Sequence, residues 1–221
     1  MRKILVLSLA FCCTPAMADN AAMPDLFKTA LNSGADTSAP LSYTGSVKQM
    51  RDPEWGELKY TVIHTQDGKS ATVQSLPKDM KEDDILSELT DPDDDIWCDG
   101  FDDQIGSDVT LVAEDDKIAT FEYMANPKSA EDKNEAKVLK HTRISVNVDK
   151  SHQTVARFHY KLQKPVKPMM IVKLDNFEMI GECKILPNGR AYVARLETKV
   201  SGSAMMQDFS EHTVQEFTHL P

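Results

Sequence analysis

Between residues 143 and 162 the chain alternates apolar and polar side chains with a period of two. Ile144, Val146 and Val148 are interleaved with Arg143, Ser145 and Asn147. Ala156, Phe158, Tyr160 and Leu162 are interleaved with Arg157, His159 and Lys161. Successive side chains of a strand point to opposite faces, so each segment is a strand with one buried and one wet face, the pattern of an antiparallel sheet covered on one side. The same alternation begins near Leu41, where Tyr43, Gly45 and Val47 share a face, and returns over 58–65 and 70–76. Asp67-Gly68 between the last two segments favours a tight hairpin.

Further strands are expected at 109–113 and 118–124, with a polar loop or short helix over 126–134. A second hairpin closes at Asn188-Gly189, joining 177–186 to 190–200, and a last pair is expected at 204–209 and 213–217. Two early segments break the pattern. Within 24–31, Leu26, Phe27, Ala30 and Leu31 fall on one helical face, and within 78–89 Ile85, Leu86 and Leu89 fall on another. About ten strands, two helices and no internal repeat predict a mainly β fold, one curved antiparallel sheet with capping helices.

The first 18 residues read differently. Arg2-Lys3, an apolar run from Ile4 to Cys13 and the ending Ala16-Met17-Ala18 are the three parts of a secretory signal peptide. The run is well short of the ~20 residues a membrane-spanning helix needs. Cys12 and Cys13 lack the small preceding residue that lipoprotein processing requires. The expectation is therefore cleavage after Ala18, a periplasmic location, and a single β-rich domain over 19–221 that does not span the membrane. Losing Arg2 and Lys3 from 25 basic residues leaves a net charge of about −12 against 35 acidic ones. Such a surface repels phosphate backbones, which excludes nucleic acid as a partner class.

In an oxidising compartment the two cysteines that survive cleavage, Cys98 and Cys183, are expected to form a disulfide. No C-x-x-C spacing or neighbouring histidine favours a redox or metal role. Asp91, Asp93, Asp95, Asp99 and Asp102 occupy positions 1, 3, 5, 9 and 12 of a twelve-residue calcium loop. However, Ile96 stands where the turn needs glycine and Asp102 where a longer glutamate should close the site. A solvated acidic loop is the favoured reading. His212 and His219, with Glu216 near them, are seven residues apart and would point to opposite faces of one strand, so no zinc site is expected. No nucleophile elbow, phosphate-binding loop, dinucleotide fingerprint or H-E-x-x-H helix occurs, and an enzyme is the weakest of the function classes. No cofactor is expected.

The order of elements resembles the LolA/LolB lipoprotein-carrier superfamily: an N-terminal helix, a long antiparallel meander and a helical insertion after the third strand. Leu41-Ser42-Tyr43-Thr44-Gly45, then Thr61-Val62-Ile63-His64 and Asp67-Gly68 resemble the opening of the related periplasmic sensor RseB. The resemblance implies an incomplete β-barrel capped by helices around an apolar space that accepts acyl chains. It does not extend to the carriers' Arg-Pro latch strand, because Lys48 and Arg51 lack the following proline, nor to their Trp-x-Tyr strand. Under this implication Phe158, Tyr160, Met169, Met170 and Met205 are the candidate lining residues, flexible thioethers suiting a cavity that adapts to a lipid tail. The partner would be a lipid or an acylated protein. The alternative is a protein-interaction or sensing module for an envelope protein, its groove filled by side chains.

Overall fold

A computed structural model of the chain describes residues 23–32, 41–65, 68–91 and 96–221. The expected signal peptide, its cysteines and the turn residues 66–67 lie outside these, as do Asp93 and Asp95 of the calcium-like stretch.

Among the described residues eleven strands form one open, curved antiparallel sheet that does not close into a barrel. They are β1 (Tyr43–Gln49), β2 (Glu57–Thr65), β3 (Gly68–Ser75), β4 (Thr110–Glu114), β5 (Ile118–Met124), β6 (Thr142–Asp149), β7 (Thr154–Leu162), β8 (Val166–Met169), β9 (Val172–Ile185), β10 (Ala191–Ala204) and β11 (Gln207–His219). Their order across the sheet is β3-β2-β1-β11-β10-β9-β7-β6-β5-β4, with β8 paired to β9 beside this path. The last strand thus pairs with the first, Tyr43 opposite His219, which makes the meander one continuous surface.

The alternation that predicts β6 and β7 sets their faces. Ile144 sits opposite Tyr160 and Val146 opposite Phe158, all buried, while Arg143, Asn147, Arg157 and Lys161 belong to the other, polar face. The buried face is the inner one. Helix α1 (Asp25–Leu31) packs on it against β6 and β7 and inserts Phe27 edgewise against Tyr123 and, tilted, against Phe121. Helix α2 (Glu82–Leu89) leans on β3 and buries Ile85.

Two glycines let aromatic rings lie flat on this face. A Cβ on Gly181 would come within 2.0 Å of the Phe158 ring, and one on Gly45 within 2.3 Å of the Tyr60 ring. Phe101 then packs on Phe158 from above, ring centroids 5.2 Å apart. Glycine, ring and second ring form a three-deep stack through the interior.

Three local expectations are corrected, and a fourth, the loop or short helix after β5, is resolved in favour of the helix. The polar segment after β5 carries a helix, α3 (Lys133–Leu139), capped by Asp132, whose carboxylate accepts from the N–H groups of Asn134 and Glu135. The second helix starts at Glu82 rather than in the Lys78 turn. Strand β9 begins at Val172, not 177, and is flanked there by β8, which the sequence reading lacks. The expected final pair, 204–209 with 213–217, is instead a single strand, β11, joined to β10 by a turn at Met205-Met206. Both methionines have positive φ, 50° and 64°, the left-handed region that hairpin turns of this length need and that Gly and Asn normally supply. Without those residues the turn carries no compositional mark.

Candidate functional site

Whether the inner face is a ligand space or a packed core is decided by what lies over β5–β10. From one side comes α1. From the other comes the segment 96–105, fastened at several points. Cys98 is bonded to Cys183 of β9, with Cα atoms 6.3 Å apart. The Cys98 N–H donates to the Ala191 carbonyl and the Val193 N–H to the Ile96 carbonyl. Asp99 receives two hydrogen bonds from the Arg190 guanidinium, at 2.8 and 3.0 Å, and that guanidinium also stacks 3.6 Å over the Trp97 ring. Asp99 is thus committed to an arginine rather than offered to a cation. Phe27, Cys98, Phe101, Phe121 and Ile144 are almost wholly shielded from solvent. The inner face is covered by the chain's own side chains.

One polar cluster lies within it. The Tyr160 hydroxyl donates to the Gln104 side-chain oxygen. The Tyr123 hydroxyl and one oxygen of Asp103 find no partner among the described residues. Burial raises both phenols well above their ordinary range, and the nearby Asp103 charge adds to it. Asp103 itself is raised, by burial first and by Asp102 second. The cluster offers a polar foothold inside an apolar face.

A Ser, a His and an Asp do meet at the β6–β7 turn. Ser151 Oγ lies 3.0 Å and Asp149 Oδ1 3.2 Å from the same imidazole nitrogen, Nδ1 of His152. A catalytic triad needs the serine and the carboxylate on different ring nitrogens so that the ring can take a proton from one while oriented by the other. Here Asp149 accepts instead from Ser151 Oγ and from the backbone N–H groups of residues 151 and 152, which hold its carboxyl at about 2. This is turn chemistry.

On the polar face, open depressions of about 280 and 300 Å³ share Glu122 and Arg143, a side-chain ion pair at 3.3 Å; His159 and Lys161 line the second. A denser charge group sits on β10 and β11. Glu197 accepts from Arg195 and Lys199 at 2.8 Å and faces His212 Nε2 at 2.9 Å. Lys199 and then Arg195 pull its carboxyl down to about 2 from an ordinary 4.5. A lowered carboxyl stabilises the fold above its unfolded pKa, and that contribution fades as pH falls from 4.5 towards 2. Glu197→Gln should therefore lower stability by about 1 kcal/mol at pH 7, a figure reduced for solvent screening, and by much less near pH 2. Urea melts at the two pH values check this; a gap that stays constant counts against it.

The candidate lining residues separate into two groups. Phe158 and Tyr160 lie in the interior, their rings 5.8 Å apart. Met169, Met170 and Met205 do not join them; they stand exposed at two turns, β8–β9 and β10–β11, which touch through the Met205 N–H and the Ile171 carbonyl. Sequence reasoning missed Ile171 at the same place, left Met206 out of the lining set although it forms a pair with Met205, and missed Arg190 as the anchor of the covering segment. The arginine's position directly after the Asn188-Gly189 turn was the available signal.

No family model matches this chain. No curated protein matches it either. Comparison with solved structures finds a distant neighbour, a DUF1329 family protein from Desulfovibrio piger, 13% identical over 87% of this chain and 90% of that one, with a TM-score of 0.36.

Proposed function

We propose that this chain is a non-catalytic binding module of the bacterial periplasm, an interaction or sensing protein whose inner face is occupied by its own side chains. The observation that carries the reading is the stack of Phe101 on Phe158 on Gly181, with Phe27 of α1 packed on Phe121 and Tyr123 on the same inner face. An acyl chain needs a void where these rings are. Export is supported by the residue pattern of the first 18 positions and by a disulfide of the kind that persists outside the cytoplasm.

The carrier reading, with a lipid or acylated protein held inside, draws on one observation: the unpartnered Tyr123 hydroxyl and Asp103 oxygen could meet a polar end group. It requires the 96–105 segment to lift, against a disulfide and a bidentate ion pair. Gentle purification followed by denaturation and mass spectrometry for stoichiometric lipid, with titration of a fluorescent fatty acid, tests the choice. The expected result is no retained lipid and no probe binding. Lipid at one per chain would return the carrier reading to first place.

A further inference from the structure

Strands β8 to β11 run past the rest of the sheet. β9 is paired to β7 only over Glu178–Glu182, and β11 to β1 only over Thr213–His219, yet β9 and β11 continue to Val172 and Gln207. Six residues at ~3.3 Å each make a ribbon about 20 Å long beyond those pairings. At its end Met170 is 97% exposed, Met206 100%, Met205 71%, Ile171 54% and Met169 46%. Single exposed apolar residues are ordinary, but five on two adjoining turns form one patch. The patch also occupies a strained turn, since two methionines hold the positive φ that Asn-Gly would adopt freely.

A projecting tip of unbranched, flexible side chains suits a partner that deforms around it. Lysines flank the patch. Lys137 of α3 reaches the Pro168 carbonyl at 2.5 Å, Lys167 lies on β8 itself, Lys164 precedes it, and Lys173 on β9 is paired to Asp175 at 2.6 Å. On the ribbon itself Asp175 and Asp208 stand against Lys164, Lys167 and Lys173, and α3 brings Glu135 as well as Lys137. The chain as a whole is acidic, but charges more than a Debye length of ~8 Å away are largely screened, so the charges carried by the ribbon and its immediate neighbours weigh most at its end. A second copy meeting this tip about a twofold axis would set lysine against lysine.

We propose that the β8–β9 and β10–β11 turns form a membrane-docking tip: Met170, Ile171, Met205 and Met206 enter the acyl boundary of a bilayer while Lys164, Lys167 and Lys173 meet anionic headgroup phosphates. The proposal goes beyond the filled-interior reading and does not depend on it, because the tip lies outside the core.

The full chain is floated with phosphatidylethanolamine vesicles made with and without phosphatidylglycerol. Wild type should float with the anionic vesicles and be released by salt. Met170→Ser with Met206→Ser should weaken partitioning by about tenfold or more, given the apolar area withdrawn. Met205→Asn with Met206→Gly should do the same without lowering the melting temperature, because it installs a favoured turn; this separates loss of docking from loss of fold. Lys164→Gln, Lys167→Gln and Lys173→Gln together should abolish the preference for phosphatidylglycerol. Wild type that stays unbound, or methionine variants that bind equally, would overturn the proposal. A dimer in sedimentation that Met170→Ser with Met206→Ser dissolves, without vesicle binding, would assign the tip to a second copy. Lipid held inside the core would persist in that variant, so the two readings fail separately.

Discussion

Phe101→Ala should cost about 3–5 kcal/mol, the range for deleting a buried phenylalanine, and lower the melting temperature by roughly 10 °C. The ring is almost wholly shielded and rests on Phe158, which rests on the bare backbone of Gly181. Neither neighbour can close the gap easily. Phe158 is already against the sheet and its strand is paired on both sides, to β6 and β9. The covering segment is pinned on one side of residue 101 by Cys98 and Asp99, and on the other by hydrogen bonds joining Gln104 to Asn126 and Gly106 to Met124. A site that cannot collapse keeps its cavity, and the cost rises with the volume left empty. Apolar cavities of this kind stay dry and accept small apolar molecules, so benzene should restore part of the lost stability in the variant and none in wild type. The measurement is a pair of thermal melts with and without benzene. A loss under about 1 kcal/mol would mean that the interior already holds free space, and the filled-core account of function would fall with it.

The elements that follow period two were legible because one face of each is buried and the other wet: Ile144 to Val148 in β6 and Phe158 to Leu162 in β7 carry that contrast in every pair of residues, while at the bulge before them Val155, not the expected Ala156, takes the buried side. The ribbon from β8 to β11 lacks it. From residue 195 to 201 β10 is half-buried at every position, so its apolar and polar residues need not alternate, and β8 is four residues long with a proline inside. The turn that organises the ribbon is Met-Met, which no rule of turn composition selects. Placing that turn wrongly breaks β11 in two, whereas Met169, Met170 and Met205 go indoors for a different reason, the acyl-binding space that the carrier resemblance implies. Helix α3 was more accessible than the reading made it. Asp132 followed three residues later by Glu135 is a capping pattern: Asp132 accepts from the Glu135 N–H, while Glu135 reaches back one residue past the cap and accepts from the Glu131 N–H at 2.8 Å. The interior polar cluster could not be read at all, because Gln104, Tyr123 and Tyr160 come together only through the crossing of 96–105 over the sheet.

Reduction of the Cys98–Cys183 bond should lower stability by about 3–4 kcal/mol, and the melting temperature by roughly 8–10 °C, while leaving the native structure in place at room temperature. The bond spans 85 residues, and in the chain-entropy account a loop of that size restricts the unfolded chain by about 4.6 kcal/mol, an upper figure. Most of the effect therefore belongs to the unfolded state. In the native state the same segment is held independently: Arg190 grips Asp99 and covers Trp97, Trp97 bridges to Tyr192, and two backbone hydrogen bonds flank the cysteine. Near-ultraviolet circular dichroism, which reports the aromatic packing around Phe101 and Phe158, should thus be almost unchanged when Cys98 and Cys183 are both replaced by serine, although the melt moves. Arg190→Leu should act in the opposite sense, disturbing the native aromatic signal because it leaves the Asp99 carboxylate part-buried without its partner. If the double serine variant instead lost its near-ultraviolet spectrum at room temperature, the bond would be holding the lid shut against its own packing. An inner face that opens on reduction is what a ligand carrier would need.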